Sequence, residues 1–183
     1  PVLPLDVFWD KLAESRLLSA GQVSDVLMAY RDAMKDSGSE ENQTALAAQW
    51  LVRQRIVTLW QAKELTKGKA GNFFMGDYRL LDKRDMSPGG VVYRGRHEPT
   101  RQSVSLVPID DSASQRVEVW TEVVRQVKRA AETTSPVLSR TWALESTGGN
   151  RFIICEDLFS QVLTALFPPL STINMQAQHC LHH

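Results

Sequence analysis

The sequence predicts an α+β fold in which a small helical bundle precedes a five-stranded antiparallel sheet with one packed helix. Up to Gly68, apolar residues recur at the 3–4 spacing of one-sided helices. After Gly76, short runs rich in β-branched and aromatic residues alternate with turn-like residues, which is typical of strands. A polar, glycine-containing stretch separates the two patterns. We therefore predict a helical module over residues 1–68, a linker over 69–76 and a sheet domain over 77–183.

Two capping boxes mark helix starts in the first part of the chain. Ser19 with Gln22, and Thr58 with Gln61, have the spacing at which each side chain bonds the backbone N–H of the other residue. Gly68 fits the position that follows a helix, because glycine adopts positive φ without strain. These signals predict four short helices packed as a bundle.

Five segments of the second part have the composition and length of strands. They are predicted over residues 77–84, 90–97, 102–109, 137–145 and 150–156. A helix opens near Ser112 between the third and fourth strands, and another is predicted over 158–167. Short connections favour antiparallel neighbours, so this order predicts an antiparallel sheet with a helix packed on it.

The composition argues against several functional classes. Lys and Arg total 21, as do Asp and Glu, so the net charge of zero leaves no electrostatic footprint for nucleic acid or an anionic membrane. No apolar run approaches the roughly 18–20 residues that cross a bilayer. Cys155 and Cys180 lack metal-ligand spacing and a disulfide framework. We therefore expect a cytoplasmic protein with no metal site and no membrane segment.

The strands resemble those of the small lobe of eukaryotic-like bacterial serine/threonine protein kinases. Residues 78–81 (YRLL) followed by 90–93 (GVVY) are similar to the first two strands of that family. Residues 152–156 (FIICE) are similar to its fifth strand and hinge, and 135–138 (SPVL) to the loop into its fourth strand. A short sequence upstream of the sheet is also similar to one that precedes the kinase domain in some bacterial kinases. The resemblance therefore extends over about residues 55–183.

The resemblance implies an ATP site that has lost its phosphate-covering loop. In the family, a G-x-G-x-x-G phrase lets the backbone approach the phosphates. The three glycine positions here hold Asp85, Ser87 and Gly90, so only the last glycine is kept. Asp85 also adds a negative charge where a triphosphate would lie.

The resemblance also implies the loss of an ion pair. The lysine of the family's V-A-I-K phrase is replaced by Val107. Counting back from Pro136 without a gap places Gln126 at the position of the helix glutamate, and Glu122 lies one turn earlier. If Gln126 is the equivalent residue, both partners are missing together, which avoids an unpaired buried charge.

A vestigial ATP pocket is predicted from the scaffold positions that remain. Gly90, Val92 and Ser105 would line it, and Glu156 with Asp157 would offer hinge backbone groups. The favoured interpretation is that Gly90 and Val92 simply maintain the turn and the strand packing.

Two further features of the sheet domain have a functional and a structural interpretation. Arg94 and Arg96 share the strand face of Val92, so one of them is a candidate replacement for the lysine, although such residues are more often solvated. Trp120 is a candidate docking residue on the outer face of its helix, or a core residue.

Three histidines have the spacing of metal ligands on a helix: His179, His182 and His183. The favoured interpretation is a frayed chain end. Cys155 is predicted to be a small core residue beside the hinge.

No H-R-D, D-F-G or A-P-E phrase occurs, so no catalytic residue is predicted in the given chain. The sequence predicts a catalytically inactive, kinase-like (pseudokinase) module that acts in signalling or regulation by binding a protein. One alternative is a fragment of a serine/threonine kinase that retains ATP as a cofactor. A second alternative is an α+β adaptor domain unrelated to kinases.

Overall fold

The computed structural model describes residues 3–35, 42–71, 73–86, 90–109, 117–132, 141–147 and 150–156. The chain divides into two compact units. The helical unit comprises Pro1–Phe74 with Leu80–Asp82, and the sheet unit comprises Met75–Arg79 with Lys83–His183. The predicted helix over 158–167 and the predicted helix start at Ser112 lie outside the described residues.

The helical unit contains the four helices that the periodicity predicts. They are α1 Leu5–Glu14, α2 Ala20–Ala33, α3 Gln43–Arg53 and α4 Leu59–Thr66. Their buried side chains form one apolar core together with Phe73, which lies after α4. The largest fully buried members of this core are Phe8, Phe73, Leu12, Leu51 and Leu65. Gly68 follows α4 with φ of +77°, so glycine ends this helix as the sequence predicts.

Both predicted capping boxes are formed. At the start of α2, the Ser19 N–H donates to Gln22 Oε1 at 2.9 Å and the Gln22 N–H donates to Ser19 Oγ at 3.3 Å. At the start of α4, the Thr58 N–H donates to Gln61 Oε1 at 3.0 Å and the Gln61 N–H donates to Thr58 Oγ1 at 3.2 Å. Each pair satisfies N–H groups that the first helical turn leaves without partners.

The second capping box also holds a strand segment of the helical unit. Gln61 is fully buried, and its Nε2 donates to the Leu80 carbonyl at 2.6 Å. The Thr58 hydroxyl donates to the Leu81 carbonyl at 2.6 Å. The Leu80 N–H donates to the Phe73 carbonyl at 2.8 Å. Consecutive backbone groups of this segment are therefore paired with the start of α4 and with Phe73.

The described strands form one curled antiparallel sheet. They are β1 Phe74–Met75, β2 Tyr78–Met86, β3 Gly90–His97, β4 Ser103–Ile109, β5 Thr141–Thr147 and β6 Asn150–Glu156. Their order is β1-β2-β3-β4-β6-β5, and the helix α5, Val117–Glu132, lies between β4 and β5 in the chain. The fold is α+β as predicted, and it is consistent with the small-lobe arrangement that the sequence resembles. The sheet has six strands rather than the five predicted. The additional strand is β1, which the sequence does not reveal because two residues show no alternation.

The curl of the sheet brings side chains of distant strands together. Tyr78 of β2 packs edge-on against Phe152 of β6, with ring centroids 6.0 Å apart. The Tyr78 hydroxyl donates to Glu145 Oε1 of β5 at 3.0 Å. Beside them, a β-carbon on Gly76 would lie 3.2 Å from Thr147 Oγ1, which leaves little room for a side chain.

Tyr78 is expected to make the sheet unit less stable as the pH rises above 10. Burial, and then the hydrogen bond to Glu145, raise the pKa of Tyr78 from 10.0 to about 12. Because folding favours the neutral phenol, this contribution is fully present below pH 10 and is lost as the pH rises to 12. Urea unfolding across this pH range should therefore show a larger loss of stability in the wild type than in Tyr78→Phe. Equal losses in the two proteins would contradict the prediction, since the other ionising groups are common to both.

Two further findings concern the described part of the chain. None of its helices combines the length and the apolar character needed to cross a membrane. Its His, Cys, Asp and Glu residues form no group of three or more that is able to hold a metal ion.

Candidate functional site

One face of the sheet carries most of the predicted pocket residues. Ser105 and Val107 lie two residues apart on β4, so they share a face. The register pairs Ser105 with Arg94 on one side and with Cys155 on the other, and it pairs Val107 with Ile153. These directly opposed residues also point to the same side of the sheet.

Val92 belongs to the same face. It lies two residues before Arg94 on β3, and extending the register by one pair beyond Tyr93 and Leu106 places Val92 opposite Val107. Val92 is buried with an exposed fraction of 2%, and Ser105 is fully buried. The structure therefore brings Val92, Ser105 and Val107 together on adjacent strands.

Gly90 and Glu156 lie at strand ends. Gly90 begins β3 with φ of +89°, and a β-carbon there would meet no atom within 4 Å. The backbone conformation, rather than a close neighbour, is therefore what favours glycine at this position. Glu156 ends β6 opposite Val104 and is exposed. Asp157 lies outside the described residues.

Val107, the residue predicted at the lysine position, has apolar neighbours on the adjacent strands. Val107 is half-buried beside Ile153. Ile153 also packs on a buried cluster formed by Ile109 of β4 with Val123 and Val127 of α5. The side of α5 that faces the sheet thus carries valines at these two positions.

Gln126 and Glu122 interact with each other along α5. Gln126 is exposed, and its Nε2 donates to Glu122 Oε1 at 2.9 Å. Arg125 donates to the other oxygen of Glu122. The hydrogen bond from Gln126, followed by the one from Arg125, lowers the pKa of Glu122. The carboxylate of Glu122 is therefore already engaged by neighbours on its own helix.

The loop positions of the predicted pocket are only partly described. Asp85 is exposed at the end of β2, where its Oδ1 lies 3.3 Å from Lys83 Nζ. An exposed pair of this kind contributes little to stability. Ser87 and Pro136 lie outside the described residues, as do the three histidines, Cys180 and the side chain of Trp120.

The two arginines considered as substitutes for the lysine have different environments. Arg96 donates from Nε and Nη2 to Glu98 Oε1, at 3.1 and 2.9 Å. Arg94 is exposed and lies opposite Ser105, which makes it the nearer of the two to Val107 in the register. Cys155 is buried on the other side of Ser105, in the position of a small core residue.

Comparison with known proteins finds similarity to solved structures. No protein-family model matches the chain, and no curated protein matches it. The crystal structure of the Mycobacterium tuberculosis PknI kinase domain is similar over 45% of this chain, with 17% sequence identity and a TM-score of 0.40. The match spans 34% of that kinase domain, or about a third of its length.

Proposed function

We propose that the sheet unit is a kinase-like module that does not transfer phosphate and that acts in signalling or regulation by binding a protein. The observation that carries this proposal is Val107. It occupies the position of the ATP-binding lysine in the resemblance, and it lies beside Ile153 rather than beside a carboxylate. Phosphoryl transfer depends on positioned positive charge, which valine does not supply.

The inward face of α5 supports the same proposal. In an active site of this family, a helix glutamate would orient the lysine. Here Val123 and Val127 are buried residues of the helix, while Glu122 is bonded to Gln126 and Arg125. Apolar packing in place of the ion pair avoids the desolvation of two charges, so it is compatible with a stable scaffold.

A second candidate function is retained binding of ATP, and Arg94 favours it. This arginine lies opposite Ser105, on the face that also carries Val92 and Val107. A guanidinium on that face is able to contact a phosphate group. For either function we propose a cytoplasmic setting, because the two cysteines of the sequence, Cys155 and Cys180, do not form the dense cysteine framework of a disulfide-stabilised secreted domain.

Thermal unfolding in the presence of Mg-ATP distinguishes the two candidates. For the inactive module, we expect the same midpoint with and without millimolar Mg-ATP, since a ligand that does not bind the folded state does not stabilise it. An increase of several degrees that disappears in Arg94→Gln would reject this proposal in favour of ATP binding. Arg125→Gln is the matched control, because it removes one exposed arginine from α5 instead of from β3.

A further inference from the structure

A cluster of arginines surrounds Glu98 at the turn between β3 and β4. Arg96 Nε and Nη2 both donate to Glu98 Oε1, and Arg101 Nη1 donates to Glu98 Oε2 at 3.2 Å. One carboxylate therefore bridges two guanidinium groups. Side-chain exposure is 32% for Arg96 and 33% for Glu98, so the inner part of the network is only partly hydrated.

Arg79 adds a third guanidinium to this network. The Glu98 N–H donates to the Asp77 carbonyl at 2.9 Å, and the rings of Tyr78 and His97 lie 4.9 Å apart. These contacts pair the start of β2 with the end of β3 and place Arg79 opposite Arg96. Arg79 is half-buried, and its pKa is lowered by burial and then by the positive charge of Arg96. Like charges directly opposed on two strands destabilise the pairing.

The surrounding face carries further hydrogen-bond donors. Ser103 lies opposite Arg96 on β4, where its hydroxyl is a further hydrogen-bond donor. Arg94 lies two residues from Arg96 on the same face. Arg79, Arg94 and Arg96 thus share one face of the sheet, although the chain as a whole has no net charge.

The backbone of Arg101 has a conformation that is strained for a residue other than glycine. Its φ is +62°, in the left-handed region where glycine is the residue without strain. The turn is closed by the Arg101 N–H, which donates to the His97 carbonyl at 2.7 Å. Glycine would meet the same conformational requirement, so the turn itself does not need an arginine at this position.

We propose that Arg79, Arg96 and Arg101 form a binding site for a phosphate-type dianion. Planar guanidinium groups bind phosphate oxygens with paired, charge-assisted hydrogen bonds, and Glu98 orients two of the three groups. A dianion bound here would offset the repulsion between Arg79 and Arg96. This site is separate from Val107 and Gly90, and it does not depend on whether the sheet unit is kinase-like.

The test is thermal unfolding of the whole chain with inorganic phosphate, compared with sodium chloride at the same ionic strength. Phosphate should raise the unfolding midpoint of the wild type in a saturable manner. Arg79→Gln and Arg101→Gly should each weaken the binding of phosphate by about tenfold, because each removes charge-assisted hydrogen bonds. Arg101→Gly also relieves the positive φ, so we expect this variant to fold.

Arg55→Gly is the matched control. Arg55 is an exposed arginine with φ of +58° that follows α3 in the helical unit, so the substitution makes the same change of charge and backbone away from the cluster. This variant should bind phosphate as the wild type does. The proposal is overturned if phosphate has no effect beyond that of chloride, or if Arg79→Gln and Arg101→Gly bind it as tightly as the control.

A second titration identifies the source of the dianion. A phosphoserine peptide and its unphosphorylated form are added to the wild type and to Arg101→Gly. Binding of the phosphorylated form alone, at least as tight as that of inorganic phosphate and weakened in Arg101→Gly, supports a phosphorylated protein as the source. Binding of inorganic phosphate without the peptide supports a free dianion, and binding of neither probe rejects the site.

Discussion

Replacing Phe152 with alanine is expected to lower the free energy of unfolding of the sheet unit by about 3–5 kcal/mol. Phe152 is fully buried in β6, where the register places it between Pro108 of β4 and Glu145 of β5. Its ring also packs edge-on against Tyr78. Alanine removes the apolar contacts and leaves a cavity inside the curled sheet, and both effects destabilise the fold.

Urea unfolding followed by circular dichroism measures this effect, and Phe152→Leu is the control. Leucine retains most of the apolar volume, so its cost should be clearly smaller than that of alanine. If alanine and leucine lower the stability equally, the edge-on contact with Tyr78 dominates over the volume of the core. A loss below about 1 kcal/mol for alanine would contradict the position of this residue in the core.

Replacing Gln61 with alanine is expected to cost about 2–4 kcal/mol in the helical unit. One part is the loss of the bond that Gln61 Oε1 accepts from the Thr58 N–H at the start of α4. The other part is the loss of the donor to the Leu80 carbonyl, which then lacks its side-chain partner at a buried site. Urea unfolding followed by tryptophan fluorescence, to which Trp60 packed against Phe73 contributes, reports on this region.

Gln22→Ala is the control for this experiment, because Gln22 occupies the same place in the capping box of α2. It accepts from the Ser19 N–H but is exposed. Its loss should therefore cost only the capping contribution of about 1 kcal/mol. Equal effects of the two substitutions would show that the contact with Leu80 adds nothing to stability.

Local signals predicted a large part of the fold. Capping boxes depend on residues three positions apart, so Ser19, Gln22, Thr58 and Gln61 identified two helix starts without any knowledge of the tertiary structure. Strand positions followed from alternation and turn residues in the same way, to within a few residues at their ends. The strand β1 was missed because two residues carry no periodic signal.

The candidate site was less predictable. The alternation of side chains along a strand placed Arg94 and Arg96 on the face of Val92. It did not indicate which residues of β2 and β4 lie opposite them. The cluster of Arg79, Arg96 and Arg101 was missed for that reason, since it depends on the pairing of β2 with β3 and on a turn. A signal was present in the arginines at matching positions of two neighbouring strands, but it required the register to be known.

By itself, the sequence determined the class of fold, the order of its elements and the residue type at each position of the family resemblance, including valine at position 107. These properties depend on neighbours within a few residues, or on identity alone. Only the tertiary structure decided that Val107 lies opposite Ile153, that Val123 and Val127 face the sheet, and that Gln61 holds Leu80. Those contacts join residues far apart in the chain, and they depend on strand register and helix rotation, which local propensity does not specify.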